Sequence, residues 1–181
     1  MPSSRRRLIF KTAAVTLVAA GCVGALAGAA FHWSGWYDIG ATKQHRQLVH
    51  SVLEQGMKNS VRHHARDVVV PALDAPGRVR QGALVYRDKC AQCHGGPGFA
   101  QSDYGQSMQP VPGPLMDAAK RWQTRELYWI TRHGIKMSGM PAWEYHLSER
   151  DLWAVVAFVK VLPTLTPKAY IDLTETPEVA K

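Results

Sequence analysis

Residues 12–37 contain no Asp, Glu, Lys or Arg, and this charge-free run splits the chain into parts with different physical surroundings. Ala13 to Phe31 is 19 residues, mostly Ala, Val, Leu and Gly, close to the roughly 20 needed to cross a hydrocarbon layer about 30 Å thick. Arg5, Arg6, Arg7 and Lys11 precede the run, and Trp33, Trp36 and Tyr37 follow it. Cations stay on the cytoplasmic side and aromatic rings prefer the interface, so the segment is expected to run N-terminus in and C-terminus out. Everything after about residue 38 then lies outside the cytoplasm. Two rival readings give the same compartment. Ala25-Leu26-Ala27 offers a cleavage pattern for a secretory signal, and Ala19-Ala20-Gly21-Cys22 is a faint lipoprotein box with Ala where Leu is usual. The anchor is preferred because the run is longer than a usual signal core and ends in aromatic residues.

Charge and cysteine usage narrow the function classes. The chain has 22 Lys plus Arg against 14 Asp plus Glu, a net +8, and four of those cations precede the apolar run. The surplus of four left beyond it is scattered, so no nucleic-acid footprint is expected. Three cysteines, Cys22, Cys90 and Cys93, exclude a multi-disulfide scaffold.

Four regions are expected: a membrane anchor at 1–37, an amphipathic helix and linker at 38–76, a compact domain at 77–163 and a C-terminal extension at 164–181. From Ala41 to about Ala65, Leu48, Val49, Val52, Leu53, Met57 and Val61 recur at mostly helical spacing. His45, His50, His63 and His64 lie on the same stretch. Pro71 and Asp74-Ala75-Pro76-Gly77 have turn chemistry. Arg78 to about His94 reads as a helix stopped by Gly95-Gly96-Pro97-Gly98. Pro110, Pro112 and Pro114 make the next stretch irregular. Thr124 is placed to cap a helix through about Arg132, with Leu127 and Ile130 inward and Gly134 as the stop. Ser148-Glu149-Arg150-Asp151 approaches a capping box, and Leu152, Trp153, Val156, Ala157 and Val159 follow at helical spacing until Pro163. The tail from Thr164 reads as an extended strap or frayed end.

The chemistry lies at Cys90-Ala91-Gln92-Cys93-His94. On a helix, residues i, i+3 and i+4 share a face, so both thiols and the imidazole present together. C-x-x-C-H is the attachment signature of c-type haem: the thiols add across the two vinyl groups and the imidazole ligates iron. A structural zinc site needs four ligands, usually with a second paired cluster, and none is visible. A redox dithiol needs no His after its second Cys and belongs in a βαβ context absent here. No Ser/His/Asp arrangement and no phosphate-cradling Gly motif occurs.

A sixth ligand must come from elsewhere. Met108, Met116, Met137 and Met140 are the thioether candidates, with His133, His146 and Lys136 behind them. Met140 is favoured because Gly139 and Pro141 give it a tight, pre-set backbone. Met57 and Met116 read as core packing.

Gly82 and Tyr86 upstream of CAQCH, the following GGPG, the downstream GMPAW and a final helix bearing Trp153 together resemble a class I cytochrome c over about residues 77–163. With its anchor the chain is similar to membrane-anchored bacterial monohaem cytochromes c, and the Trp36-Tyr37-Asp38-Ile39-Gly40-Ala41 junction adds to that likeness. The resemblance implies an all-α class I cytochrome c fold in which the helix around Gly82 and Tyr86 crosses the helix around Trp153. It also implies Cys90, Cys93, His94 and Met140 as haem-binding residues, with His94 and Met140 on the iron. A loop carbonyl, that of Pro97, would orient the other His94 nitrogen. The 41–66 segment departs from the compact pattern.

The function expected is one-electron transfer by a single covalently bound haem c with both axial positions filled, tethered at the outer, periplasmic face of the cytoplasmic membrane. Such a chain is an electron carrier, not an enzyme by itself, with membrane-associated redox proteins as partners and no small-molecule substrate. Lys89, Lys120, Arg121 and Lys136 are candidates for a salt-sensitive docking face. The alternative is the cytochrome subunit of a larger membrane or periplasmic oxidoreductase. A sensor or peroxidase-like haem would need a labile sixth ligand, and a bis-His site would draw on His45, His50, His63 or His64.

Overall fold

The computed structural model describes residues 4–175, which fall into two compact units divided between Lys43 and Gln44. Residues 176–181, the end of the expected C-terminal extension, lie outside the described residues. The first unit is a single helix, α1 (Ser4–Trp33). Its apolar side chains are exposed and none is buried within its unit, the pattern of a helix that is apolar without a core of its own. Thirty residues at about 1.5 Å each make it about 45 Å long, enough to span a bilayer. At its end the Ser34 hydroxyl donates to the Phe31 carbonyl (2.8 Å). The Trp36 and Tyr37 rings gather 6.2 and 6.3 Å from that of Phe31.

Among the described residues the α-helices of the second unit are α2 (Gln47–Ala65), α3 (Arg78–Lys89), α4 (Ala91–His94), α5 (Asp103–Gln106), α6 (Ala118–Arg121), α7 (Thr124–His133), α8 (Glu149–Val161) and α9 (Pro167–Thr174), joined by turns and irregular loops. Among the described residues no strand forms; an isolated bridge pairs Gly96 with Phe99. The centre of the unit is α8, in which every residue from Leu152 to Val159 is buried. Ser148 starts it, its hydroxyl accepting from the Asp151 amide (3.2 Å), as the sequence implies. Burial all around its circumference follows from α3, α6 and α7 all packing against it.

The principal contact is α3 across α8. Gly82 removes the side chain at the crossing, and Tyr86 packs its ring 5.1 Å from that of Phe158, both with no exposure. Burying such a pair contributes about 1.5–3 kcal/mol per side chain. On the other side α7 stacks Tyr128 on Trp153 at 3.9 Å and 10°.

Three local expectations are corrected. The helix read from Ala41 begins at Gln47, and only its C-terminal part packs: Val61 and Ala65 are buried, whereas Leu48, Val49, Val52 and Leu53 are exposed. Helix α7 is capped by Gln123, not Thr124, because Glu126 three residues on returns its carboxylate to the Gln123 amide (2.7 Å), closing a capping box. The segment read as a strap or frayed end contains α9, whose Tyr170 inserts against Tyr86, Phe99 and Phe158. Arg80 and Arg87 of α3 donate to the carbonyls of Asp172, Thr174 and Glu175, satisfying acceptors the helix end leaves open.

Candidate functional site

Helix α3 runs to Lys89, and after Cys90 the chain re-enters a single helical turn, α4. The Cys93 and His94 amides both donate to the Cys90 carbonyl (3.0 and 2.9 Å). The three expected site residues are therefore held by one turn of backbone. The turn is buttressed from below: the Tyr86 hydroxyl donates to the Gly95 carbonyl (2.9 Å, buried), and burial pushes the Tyr86 phenol well above its ordinary range, so it stays a donor. Helix α5 closes on the other side, with Gly105 so near that a Cβ there would lie 2.9 Å from the Cys93 Cα.

Cys90 is buried and Cys93 half-buried. Desolvation, with a smaller contribution from the neighbouring Cys93 thiol, pushes the Cys90 thiol up to about 12. A redox dithiol needs a stabilised thiolate, so this environment disfavours that chemistry. Nor do His, Cys, Asp and Glu gather in threes close enough to hold a bare metal ion among the described residues.

His94 Nδ1 lies 2.8 Å from the Gly113 carbonyl. A carbonyl can only accept, so Nδ1 carries the proton and Nε2 keeps its lone pair. Burial, opposed by the bond to Gly113, lowers the His94 pKa, which favours the neutral imidazole a metal requires. This corrects the expectation that Pro97 orients the ring. Residues 95–99 instead fold on themselves, with Gly96 and Phe99 exchanging two 2.9 Å amide bonds, and Gly96 lies under the Tyr170 ring. The Pro110–Pro114 stretch passes His94 in their place.

Met140 sits on the loop between α7 and the turn Trp143–Tyr145. Gly134 ends α7 at φ 67°, where a Cβ would strike the Met140 carbonyl (2.6 Å), so the loop closes only on glycine. The Ile135 amide donates to the Met140 carbonyl (3.2 Å), and the Met140 amide to the Ser138 hydroxyl (3.2 Å). Met140 is half-buried; Met137, at φ 60°, is 94% exposed. Met108, just past α5, packs its sulfur against Gly139. Because α5 also lies on Cys93, this links the Met140 loop to the CAQCH turn. Met116 packs on the core as expected. Lys89, Arg121 and Lys136 are exposed, while Lys120 pairs with Asp117 (3.1 Å).

Sequence reasoning missed the tie that holds the far end of this loop. Glu144 accepts from Arg132 Nε (3.1 Å) and lies 3.2 Å from His133 Nδ1, joining the end of α7 to the turn after Met140. The Arg132 bond leads the influences that lower the Glu144 pKa. A lowered carboxylate keeps its bridge above the ordinary glutamate range and loses it as pH falls through the lowered folded value. Glu144→Gln is expected to reduce amide-exchange protection at Ile135 and Met140 a few-fold at neutral pH, with α8 unchanged. The unmutated protein reaches the same loosening only in acid. Equal protection in both proteins at neutral pH would show that the bridge does not hold the loop.

The residues present fit a covalently held haem: two thiols and a neutral, oriented imidazole on one turn, a nearby loop carrying a half-buried thioether, and glycines where neighbouring elements approach. Residues 77–159 match the family model described as "Cytochrome C oxidase, cbb3-type, subunit III". No curated protein and no solved structure matches the chain. The matched segment holds α3 through most of α8, including CAQCH and the GMPAW loop, and is a monohaem class I cytochrome c domain with one covalently bound haem c, whose function is electron transfer.

Proposed function

We propose that the chain is a membrane-anchored electron carrier working at the outer face of the cytoplasmic membrane. In this reading Cys90 and Cys93 would hold the haem as thioethers, and His94 and Met140 would be the protein's ligands to its iron. The observation that carries the proposal is the bond from His94 Nδ1 to the Gly113 carbonyl, which leaves Nε2 of the CAQCH histidine unprotonated and able to ligate a metal. Haem c bound there supplies a one-electron couple between ferrous and ferric iron, and His/Met ligation raises its potential.

The protein's own contribution is positioning. Gly113 fixes the His94 tautomer and ring plane. Tyr86 and α9 brace the CAQCH turn, and Ser138, Gly134 and Glu144 hold the Met140 loop, so both segments would be fixed before the group binds. Helix α1 supplies the anchor, supported by its length, the charge-free run it carries from residue 12 onward and the cations Arg5, Arg6, Arg7 and Lys11 at its N-terminal end. A tethered domain searches a small volume and meets membrane-bound redox partners at high effective concentration.

A second reading, that the chain is the cytochrome subunit of a larger oxidoreductase, is favoured by the printed description of the family model, an oxidase subunit. Co-purification of a larger redox subunit from mildly solubilised membranes would support it. The carrier reading is tested by potentiometric titration of the full-length holoprotein with and without carbon monoxide at neutral pH. A single one-electron wave and a reduced spectrum that ignores the gas are expected. A reduced spectrum that shifts on adding the gas would mean an open sixth position and would overturn the closed carrier in favour of ligand binding.

A further inference from the structure

Helix α2 has two apolar faces, and the domain uses only one of them. Val61 and Ala65 are buried and Met57 is half-buried against the rest of the second unit, whereas Leu48, Val49, Val52 and Leu53 are 76, 43, 63 and 56% exposed. At about 100° per residue the exposed set spans roughly 140° and is centred well over 90° away from the docked set. It is therefore a separate stripe on the N-terminal half, and residues 47–56 are exposed throughout. Four large aliphatic side chains on one exposed face are an interaction surface in search of an apolar phase.

Only residues 34–46 separate the end of α1 from the start of α2. At most about 3.5 Å each, they hold the first turn of α2 within roughly 45 Å of the residue where the chain leaves the membrane. Between Ile39 and Leu53 the only Asp, Glu, Lys or Arg side chains are Lys43 and Arg46. Lys43 reaches Asp38 at 2.7 Å, but that pair is largely solvated and so holds weakly. A short tether, a basic entry and an aliphatic stripe are together what an interfacial amphipathic helix presents to an anionic lipid surface.

We propose that the N-terminal half of α2 lies in the headgroup layer of the membrane that α1 crosses, with Leu48, Val49, Val52 and Leu53 towards the acyl chains. The helix thereby sets the height and tilt of the haem domain over the bilayer rather than leaving it on a free leash. This rests on the reading of α1 as a membrane anchor.

The test places a nitroxide in turn at positions 48 to 55 of the full-length holoprotein (Val52→Cys and its neighbours, in a Cys22→Ser background). The protein is reconstituted in vesicles of phosphatidylcholine with phosphatidylglycerol, and each site's collisions with oxygen and with a water-soluble nickel chelate are compared. The oxygen-to-nickel ratio is expected to be several-fold higher at 48, 49, 52 and 53 than at 51, 54 and 55. Arg46→Gln should lower the adsorbed-to-free ratio on the order of fivefold, and in pure phosphatidylcholine that difference should shrink. A flat, water-accessible profile overturns the proposal and leaves the stripe to a protein partner. Dipolar broadening between labels overturns it in favour of a second copy of the chain. A label at Val18 reports the anchor separately: if Val18 is not lipid-exposed, the anchor reading itself has failed.

Discussion

Gly82→Ala is expected to destabilise the holoprotein by about 3 kcal/mol or more, lowering its melting temperature by on the order of 10 °C. A Cβ at residue 82 would fall on the backbone carbonyl of Ala154, 2.5 Å from its carbon and 2.9 Å from the Cβ of Phe158. The nearest obstruction is main chain in the middle of α8, so no rotamer change relieves it. The helices must move apart, and the seam that opens contains Ala83, Tyr86 and Phe158, all without exposure. Alanine's better helix propensity returns about 1 kcal/mol at most. The contrast is Gly56→Ala, on exposed α2 with nothing within 4 Å of an added Cβ, where the same propensity gain should leave stability unchanged or slightly higher. Guanidinium unfolding of both variants checks this. An unchanged midpoint for Gly82→Ala would mean that α3 and α8 do not cross at this residue.

How much of this was legible in the sequence depends on whether the signal is local. The helices α3, α7 and α8 are written in periodic apolar residues, and Ser148 and Gly134 punctuate them, so their existence follows from short stretches. The CAQCH turn is more specific still, because three chemically distinct side chains must occupy fixed offsets on one face. The Gly113 carbonyl was not legible: every residue has a carbonyl, and only the path of the Pro110–Pro114 stretch selects which one meets His94. The Glu144 tie to Arg132 joins residues 12 apart across a loop, and no spacing rule announces it. Helix α9 does leave a local signal in the sequence. Thr166 followed by Pro167 is an N-cap with proline at the first helical position. The division of α2 was not legible either, since its helical period runs on from Leu48 to Val61 while only the C-terminal part packs.

In Met140→Ala the oxidised holoprotein is expected to lose the long-wavelength sulfur-to-iron charge-transfer band. Its reduction potential should fall by a sizeable part of the roughly 0.8 V that axial ligation spans, and its reduced form should begin to bind carbon monoxide. The expectation comes from how the loop is held. Gly134, Ile135 and Ser138 fix the backbone of Met140 by contacts that end at its own carbonyl and amide. Removing the side chain therefore takes away the thioether without releasing the loop. The other methionines supply the controls. Met137, 94% exposed in a left-handed conformation, should be replaceable by Ala with band and potential unchanged. Met108 is the discriminating case, because its sulfur packs on Gly139, beside Met140. If Met108→Ala abolishes the band and Met140→Ala preserves it, the ligand is Met108 and the Gly139–Pro141 corner serves only to pack it. If Met140→Ala abolishes it while Met108→Ala merely weakens or broadens it, Met108 is a positioning residue that holds the loop over the iron.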